Sequence, residues 1–457
     1  MSDRPVPGSF RDPSGFLFRR DGTLYRQVNR SYREHYDRLR SSGLYDDLTG
    51  SGLLVEHTEA DVEPAAPGAH VVIEPREIGF VSYPYEWSFS MLKDAALLTL
   101  EVQRRAVDRG MWLQDASAYN VQFVDGRPIL IDTLSFEGLR EGQPWGAYGQ
   151  FCRHFLAPLA LAAKVDVRLI GLLRLNIDGV PLSLAAAALP RRTRYRAGLG
   201  LHIHQHARAE RRSAGVTRGS APKRTFSMQA LRGLLSSLEG TVRKLDWEPE
   251  GGWVSYYAAQ ESYSDEALDH KRELVSKLLD DAAPSSVWDL GANTGAFGRI
   301  AAGKGIGALC FEMDPGCVEA NYRKAKADGD ERILPLVCDL TNPSPALGWA
   351  HAERSALADR GPADCLLALA LIHHLAIGNN VPLDRIASFF ASLGRWAIVE
   401  WVPKSDPMVD RLLAVRDDIF HGYTQDGFEA AFGREFSVER REPVRSSERT
   451  LYLLRRT

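Results

Sequence analysis

Residues 286–302 read SVWDLGANTGAFGRIAA, an apolar run that ends on an acid and enters a glycine-rich turn. The pattern predicts a strand over 286–290, a tight loop over 291–295 and a helix over 296–302. Glycine leaves no side chain between backbone and ligand, and a loop of this kind lies outside the carboxyl end of its strand. Open α/β sheets bind their ligands there.

The residues that follow continue the alternation. Residues 308–312 form a second apolar run ending in Glu312, 23 residues after Asp289, near the spacing at which dinucleotide-binding folds set a ribose-binding carboxylate. A third run, 333–337, leads into Cys338 and Asp339. A fourth, 365–371, leads into His373 and His374, and a fifth, 397–400, ends on Glu400. Each places polar groups at one rim of the expected sheet. The last two runs, 436–440 and 449–454, are joined through only about 445–448. A parallel crossover needs a dozen or more residues, so these two strands must pair antiparallel, an ending the all-parallel nicotinamide-binding fold lacks.

From about residue 253 onward, the order and spacing of these pieces resemble the class I S-adenosylmethionine-dependent methyltransferases. That family's acid-x-Gly-x-Gly-x-Gly pattern is met by Asp289, Gly291 and Gly295, with Asn293 in the middle glycine place. The resemblance implies an α/β fold, a doubly wound, Rossmann-like sheet of seven strands with an antiparallel last hairpin, and S-adenosylmethionine (SAM) as cofactor. It implies that Asp289 and the loop hold the methionine portion, Glu312 the ribose hydroxyls with Asp314 able to share them, and Asp339 the adenine amino group. Methyl transfer is an in-line displacement, so the protein has mainly to align a nucleophile, exclude water and, where needed, take a proton. His373, His374 and Glu400 are the candidate catalytic residues. Each has a plainer reading, a packed or capping histidine or a solvated loop acid. Tyr256, Tyr257 and Tyr263 either cover the cofactor or anchor a linker.

In the first half of the chain, Asp115 and Asn120 are spaced D-x-x-x-x-N. Two short runs around Asp125-Gly126 follow, and a second acid, Asp132, stands 17 residues after the first. Over about residues 15–189 this resembles protein-kinase-like phosphotransferases. The resemblance implies an α+β kinase-like domain in which Asp115 positions the attacking hydroxyl, while Asn120 and Asp132 hold magnesium on the phosphates of ATP. The sequence departs from that pattern in several places. Residues 15–28 give a hairpin around Asp21-Gly22 with no G-x-G-x-x-G loop, and no phosphate-binding lysine stands out. Gln114 replaces the usual Arg or His, and Thr133-Leu134 replaces Phe-Gly. A degenerate binding module, an active phosphotransferase and an unrelated helical domain all remain open.

A chain of 457 residues, 44% hydrophobic and 25% charged, is expected to be globular, cytoplasmic and built of two or three domains. The expected divisions are 1–206, a basic linker and connecting helix over 207–250, and 251–457. The longest apolar stretch, 155–189, is broken by Lys164, Asp166, Arg168, Arg174 and Asp178, so it reads as buried helices and not as a membrane span. Residues 1–10 lack the apolar core of a signal peptide. Five cysteines without a C-x-x-C pair indicate neither zinc nor a disulfide framework. The net charge of −3 attracts no nucleic acid globally, but residues 191–224 hold ten Lys/Arg against Glu210 alone. That stretch is either a solvated linker or a nucleic-acid contact. His202, His204 and His206 would share one side of a strand as metal ligands, or else form a satisfied or surface run. The expected methyl acceptor is a small molecule or a saccharide.

Overall fold

In the computed structural model, the residues described are 4–213, 225–249, 264–414 and 417–457. Tyr256, Tyr257, Tyr263 and the basic residues Arg218, Lys223 and Arg224 lie outside them. The chain divides into two compact units: Met1–Trp247 together with Leu347–Arg354, and Glu248–Ala346 together with Ser355–Thr457.

The first unit opens with five strands, β1 (Arg4–Pro5), β2 (Gly15–Arg20), β3 (Thr23–Asn29), β4 (His57–Glu59) and β5 (Ala69–Pro75). They form an antiparallel sheet in the order β1-β2-β3-β5-β4. The β2–β3 hairpin turns at Asp21 and Gly22, both at positive φ (51° and 90°), the backbone that a two-residue hairpin with native twist requires. Between β3 and β4 lies helix α1 (Arg33–Ser41), which buries Tyr36 and Leu39. Helix α2 (Phe89–Asp108) starts at Ser88, whose hydroxyl accepts from the Met91 N–H, and it is buried along most of its length.

Four short strands follow: β6 (Met111–Leu113), β7 (Val121–Val124), β8 (Arg127–Leu130) and β9 (Phe136–Gly138). β6 pairs with β9, and β7 with β8. This nested pairing forces the two intervening segments, 114–120 and 131–135, to face each other. They are stitched by Ile131 N–H to Asn120 O at 2.8 Å and Gln114 N–H to Ser135 O at 2.8 Å. The stretch 155–189 is helical in pieces: Ala157–Lys164 is buried along most of its length, as expected, whereas Leu182–Ala188 buries only Leu182 and Ala185. The expected linker does not stand apart: helix α3 (Met228–Arg243) buries Leu231, Leu235, Leu238 and Val242 within this unit. The histidine run is helical, not extended. At helical spacing His202 and His206 share a face against Tyr148, whereas His204 turns to Thr193 Oγ1 at 2.8 Å. His202 is satisfied by the Tyr148 and Ser237 hydroxyls, each at 2.9 Å.

The second unit is a mixed α/β structure around a seven-stranded sheet. Its strands are β10 (Ser286–Leu290), β11 (Gly307–Glu312), β12 (Ile333–Val337), β13 (Ala363–Ala368), β14 (Gly394–Trp401), β15 (Phe436–Pro443) and β16 (Thr450–Arg456). The order is β12-β11-β10-β13-β14-β16-β15, and β16 alone runs against the direction of the other six. The chain thus ends in the antiparallel hairpin that the short connection demands. Helix α4 (Asp265–Ala282) precedes β10. Helices α5 (Gly298–Gly303), α6 (Pro315–Asp328), α7 (Leu383–Leu393) and α8 (Gln425–Phe432) follow in the crossovers. Leu451 and Leu453 of β16 pack in one cluster with Leu274 and Leu278 of α4, whereas Tyr452 meets Phe428 of α8. Alternate residues of a strand face opposite sides, so α4 and α8 cover opposite faces of the sheet. Among the described residues no helix is long and apolar enough to cross a membrane.

Candidate active site

Strand β10 is central and buried on both faces, so its end is fixed in space before the loop begins. Gly291, Asn293 and Gly295 all take positive φ (75°, 49° and 81°). Asparagine is among the few residues besides glycine that visit this region readily, so Asn293 in the middle place preserves the turn. The Gly291 and Ala292 N–H groups both reach Phe311 O, at 2.9 and 3.0 Å, which ties the loop to the neighbouring strand.

Asp289 is buried, and its Oδ2 accepts the Gly298 N–H at 3.0 Å at the start of α5. Burial pushes this carboxyl up to about 7, aided by the charge of Glu312 and opposed by the Gly298 N–H and by Lys271. Gly298 belongs to the site and sequence reasoning missed it: a Cβ there would lie 2.5 Å from Cys310 Sγ, so only glycine lets α5 approach β11. The signal was present as the Gly-x-x-Gly spacing from Gly295, whose last glycine serves close helix–strand packing.

Glu312 ends β11 and uses both oxygens to fasten backbone, Oε2 from Asn293 N–H and Oε1 from Asp314 N–H, each at 3.0 Å. Burial raises its carboxyl, and these N–H groups hold it down. Asp314 caps α6, accepting from Gly316 N–H at 2.6 Å. Asp339, after β12, folds back on Thr341 through its N–H at 2.8 Å and its hydroxyl at 2.7 Å. The sheet therefore brings Asp289, the 291–295 loop, Glu312 and Asp314 to one rim, with Asp339 at the end of the next strand.

The other half of the rim differs from expectation. Strand β13 stops at Ala368, short of the expected 371, because Ala370 takes φ 51° and turns the chain. His373 is buried, with no partner for its Nδ1 among the described residues, and its ring stands 4.2 Å from that of the half-buried His374. Burial first, then nearby positive charge including Arg449, holds both imidazoles below their ordinary range. Glu400 is not a rim acid. It is fully buried, pairs with Lys271 Nζ at 2.7 Å, lies 3.8 Å from Arg449, and accepts the Ala370 N–H at 2.7 Å. Desolvating a carboxylate requires such partners, and they close it off from a solvated role.

In the first unit, Asp115, Asn120 and Asp132 do come together. Asp115 accepts from Ser117 N–H and Gln150 Nε2, both at 2.8 Å, and its carboxyl is raised by burial and by Asp132. Asn120 donates to Ser135 Oγ at 3.1 Å. Asp132 is held by Arg26, by the Ser135 hydroxyl and by Leu134 N–H at 3.1 Å. Burial alone would raise its carboxyl, but these partners outweigh it and hold it below the usual range. Arg26, 106 residues away on β3, gave no sequence signal.

No known family model matches the chain. It is 34% identical over 466 aligned residues to nodulation protein NoeA of Rhizobium meliloti (strain 1021), covering 99% of this chain and 96% of that protein. Among solved structures, it is similar to the bifunctional kinase-methyltransferase WbdD, with 16% identity, TM-score 0.30, and 42% of this chain and 40% of that one covered. It is also similar to magnesium protoporphyrin IX methyltransferase (ChlM) from Synechocystis PCC 6803 with bound SAH, with 15% identity, TM-score 0.32, and 44% and 93% covered. The match to WbdD thus spans less than half of that protein.

Proposed function

The chain belongs to the family of nodulation protein NoeA, and on that premise we propose that it is a SAM-dependent methyltransferase acting on a small molecule or saccharide. In this reading its first unit, whose sequence resembles the protein-kinase-like phosphotransferases around Asp115, Asn120 and Asp132, presents or regulates the acceptor. The observation that carries the reading is the rim itself: a buried acid, a loop of left-handed residues and a second acid on the adjacent strand. The residues fit the cofactor, since the cradle is built where side chains are excluded and its acids are arranged around it. Asp289 and the 291–295 loop would hold the methionine portion, Glu312 and Asp314 the ribose and Asp339 the adenine. When bound, SAM supplies a methyl carbon already made electrophilic by its sulfonium. What this chain adds is alignment and exclusion of water, with His373 or His374 the candidate to take a proton from the acceptor. The expected result is calorimetric SAM binding by the full chain that Asp289→Ala or Gly291→Arg abolishes; unchanged binding in both variants would sink the site. Mass spectrometry of cell extract incubated with the protein and isotopically labelled SAM then identifies the acceptor class.

A pH dependence follows from Asp289. Its carboxyl in the fold, at about 7, lies above the ordinary 3.8, so the folded state holds the proton more tightly. The contribution to stability is full below the ordinary value and is lost as pH rises toward about 7. A cationic ligand favours the ionised acid. SAM affinity is therefore expected to rise about tenfold per pH unit below pH 7 and to level off above it. Asp289→Asn should flatten the titration, and a flat wild-type profile would count against contact between this carboxyl and the ligand.

A further inference from the structure

We propose that Arg26 takes the place of a divalent cation at Asp132 in the Asp115–Asn120–Asp132 cluster, so that this acid is held by a guanidinium and the cluster takes no metal. Magnesium asks for oxygen atoms with free lone pairs in near-octahedral array, usually from one or two carboxylates. At Asp132, Oδ1 takes two donors, Arg26 and Leu134 N–H, and Oδ2 takes the Ser135 hydroxyl, which leaves one lone pair, on Oδ2, for an ion. Ser135 also accepts the Asn120 amide, so the amide and the acid that would share an ion are bound to one hydroxyl instead.

Arg26 is not a passing surface contact. Its side chain is 12% exposed, on a strand that pairs on both sides, and its Nη2 lies 3.5 Å from the Asp12 carboxylate. A delocalised, always-charged guanidinium between two carboxylates supplies permanently what an ion would supply on binding. A divalent cation entering the cluster would meet that charge at close range in a largely desolvated site, where repulsion is weakly screened. Magnesium, expected from the sequence at Asn120 and Asp132, does not fit these residues as they are held.

The inference rests on the geometry of the cluster and stands apart from the reading of the second unit as a methyltransferase. SAM titration of the same samples separates the two. The test uses the full chain and Mn2+, followed by calorimetry and by the electron paramagnetic resonance of free ion. Wild type should bind no Mn2+ at millimolar concentration. Arg26→Gln should bind one ion per chain, a gain of at least about tenfold in affinity, and Arg26→Gln/Asp132→Asn should lose it again. A stoichiometric Mn2+ site in wild type that Asp132→Asn removes would overturn the proposal, as would a folded Arg26→Gln that stays silent. If Arg26→Gln does not fold alone, recovery of its circular dichroism with Mn2+ supports the proposal, and failure to recover in both Arg26→Gln and Arg26→Ala overturns it.

Discussion

Replacing Gly295 with alanine is expected to weaken SAM binding by more than about a hundredfold, close to 3 kcal/mol, and to lower stability as well. Gly295 sits at φ 81°, where any other side chain is strained. The strain is the smaller part. A Cβ there would lie 2.3 Å from Asn321 Nδ2 and 2.5 Å from its Oδ1, so Asn321 must move. Asn321 Oδ1 accepts from Arg299 Nη2 at 2.8 Å, and Arg299 also donates to Thr294 O at 2.6 Å inside the loop. One methyl group therefore undoes the fastening of the loop from below. Gly303, at the end of α5, is the control: a Cβ there meets nothing within 4 Å, so Gly303→Ala should leave SAM affinity unchanged. Calorimetry on the two variants decides the matter, and equal affinities would show that the loop does not bind the donor.

The contrast between these glycines shows which parts of the site a sequence can reveal. Gly291, Asn293 and Gly295 need a special backbone, and that need is written locally in residue type. The same holds for Asp21-Gly22, and for the final hairpin, whose short connection admits one pairing. Gly298 is required by Cys310 Sγ on the next strand, and only its spacing from Gly295 hinted at it. Glu400 ends an apolar run in the sequence as a rim residue would, yet it lies inside β14, and its partner Lys271 is 129 residues earlier, on a helix whose other lysine, Lys277, is exposed. Arg26 lies 106 residues from Asp132. Charge pairing across the fold leaves no periodicity, so a lysine that neutralises a buried acid and one in solvent look alike in the chain. The histidine run erred for another reason: period two on a strand and period four on a helix both fit three alternating residues, and helical packing around Tyr148 decided it.

Glu400→Ala is expected to cost about 3–5 kcal/mol, because it strands a cation in a buried, low-dielectric site. Lys271 loses its hydrogen-bonded partner at 2.7 Å, and the Ala370 N–H loses its acceptor just where the chain is already turned at φ 51°. Lys271→Met should cost less, since Arg449 Nη1 stays 3.8 Å from the surviving carboxylate while its Nε keeps Asp406 at 2.7 Å. The double variant Lys271→Met/Glu400→Gln removes both charges and leaves an amide oxygen for Ala370, so it should return to within about 1 kcal/mol of wild type. Urea denaturation midpoints measure all three. The same series separates two roles for Glu400. If the carboxylate only holds the turn that carries His373 and His374, the double variant keeps SAM binding and methyl transfer along with its stability. If it acts on the acceptor, the double variant is stable and inactive, and Glu400 returns to the list of groups that touch the reacting atoms.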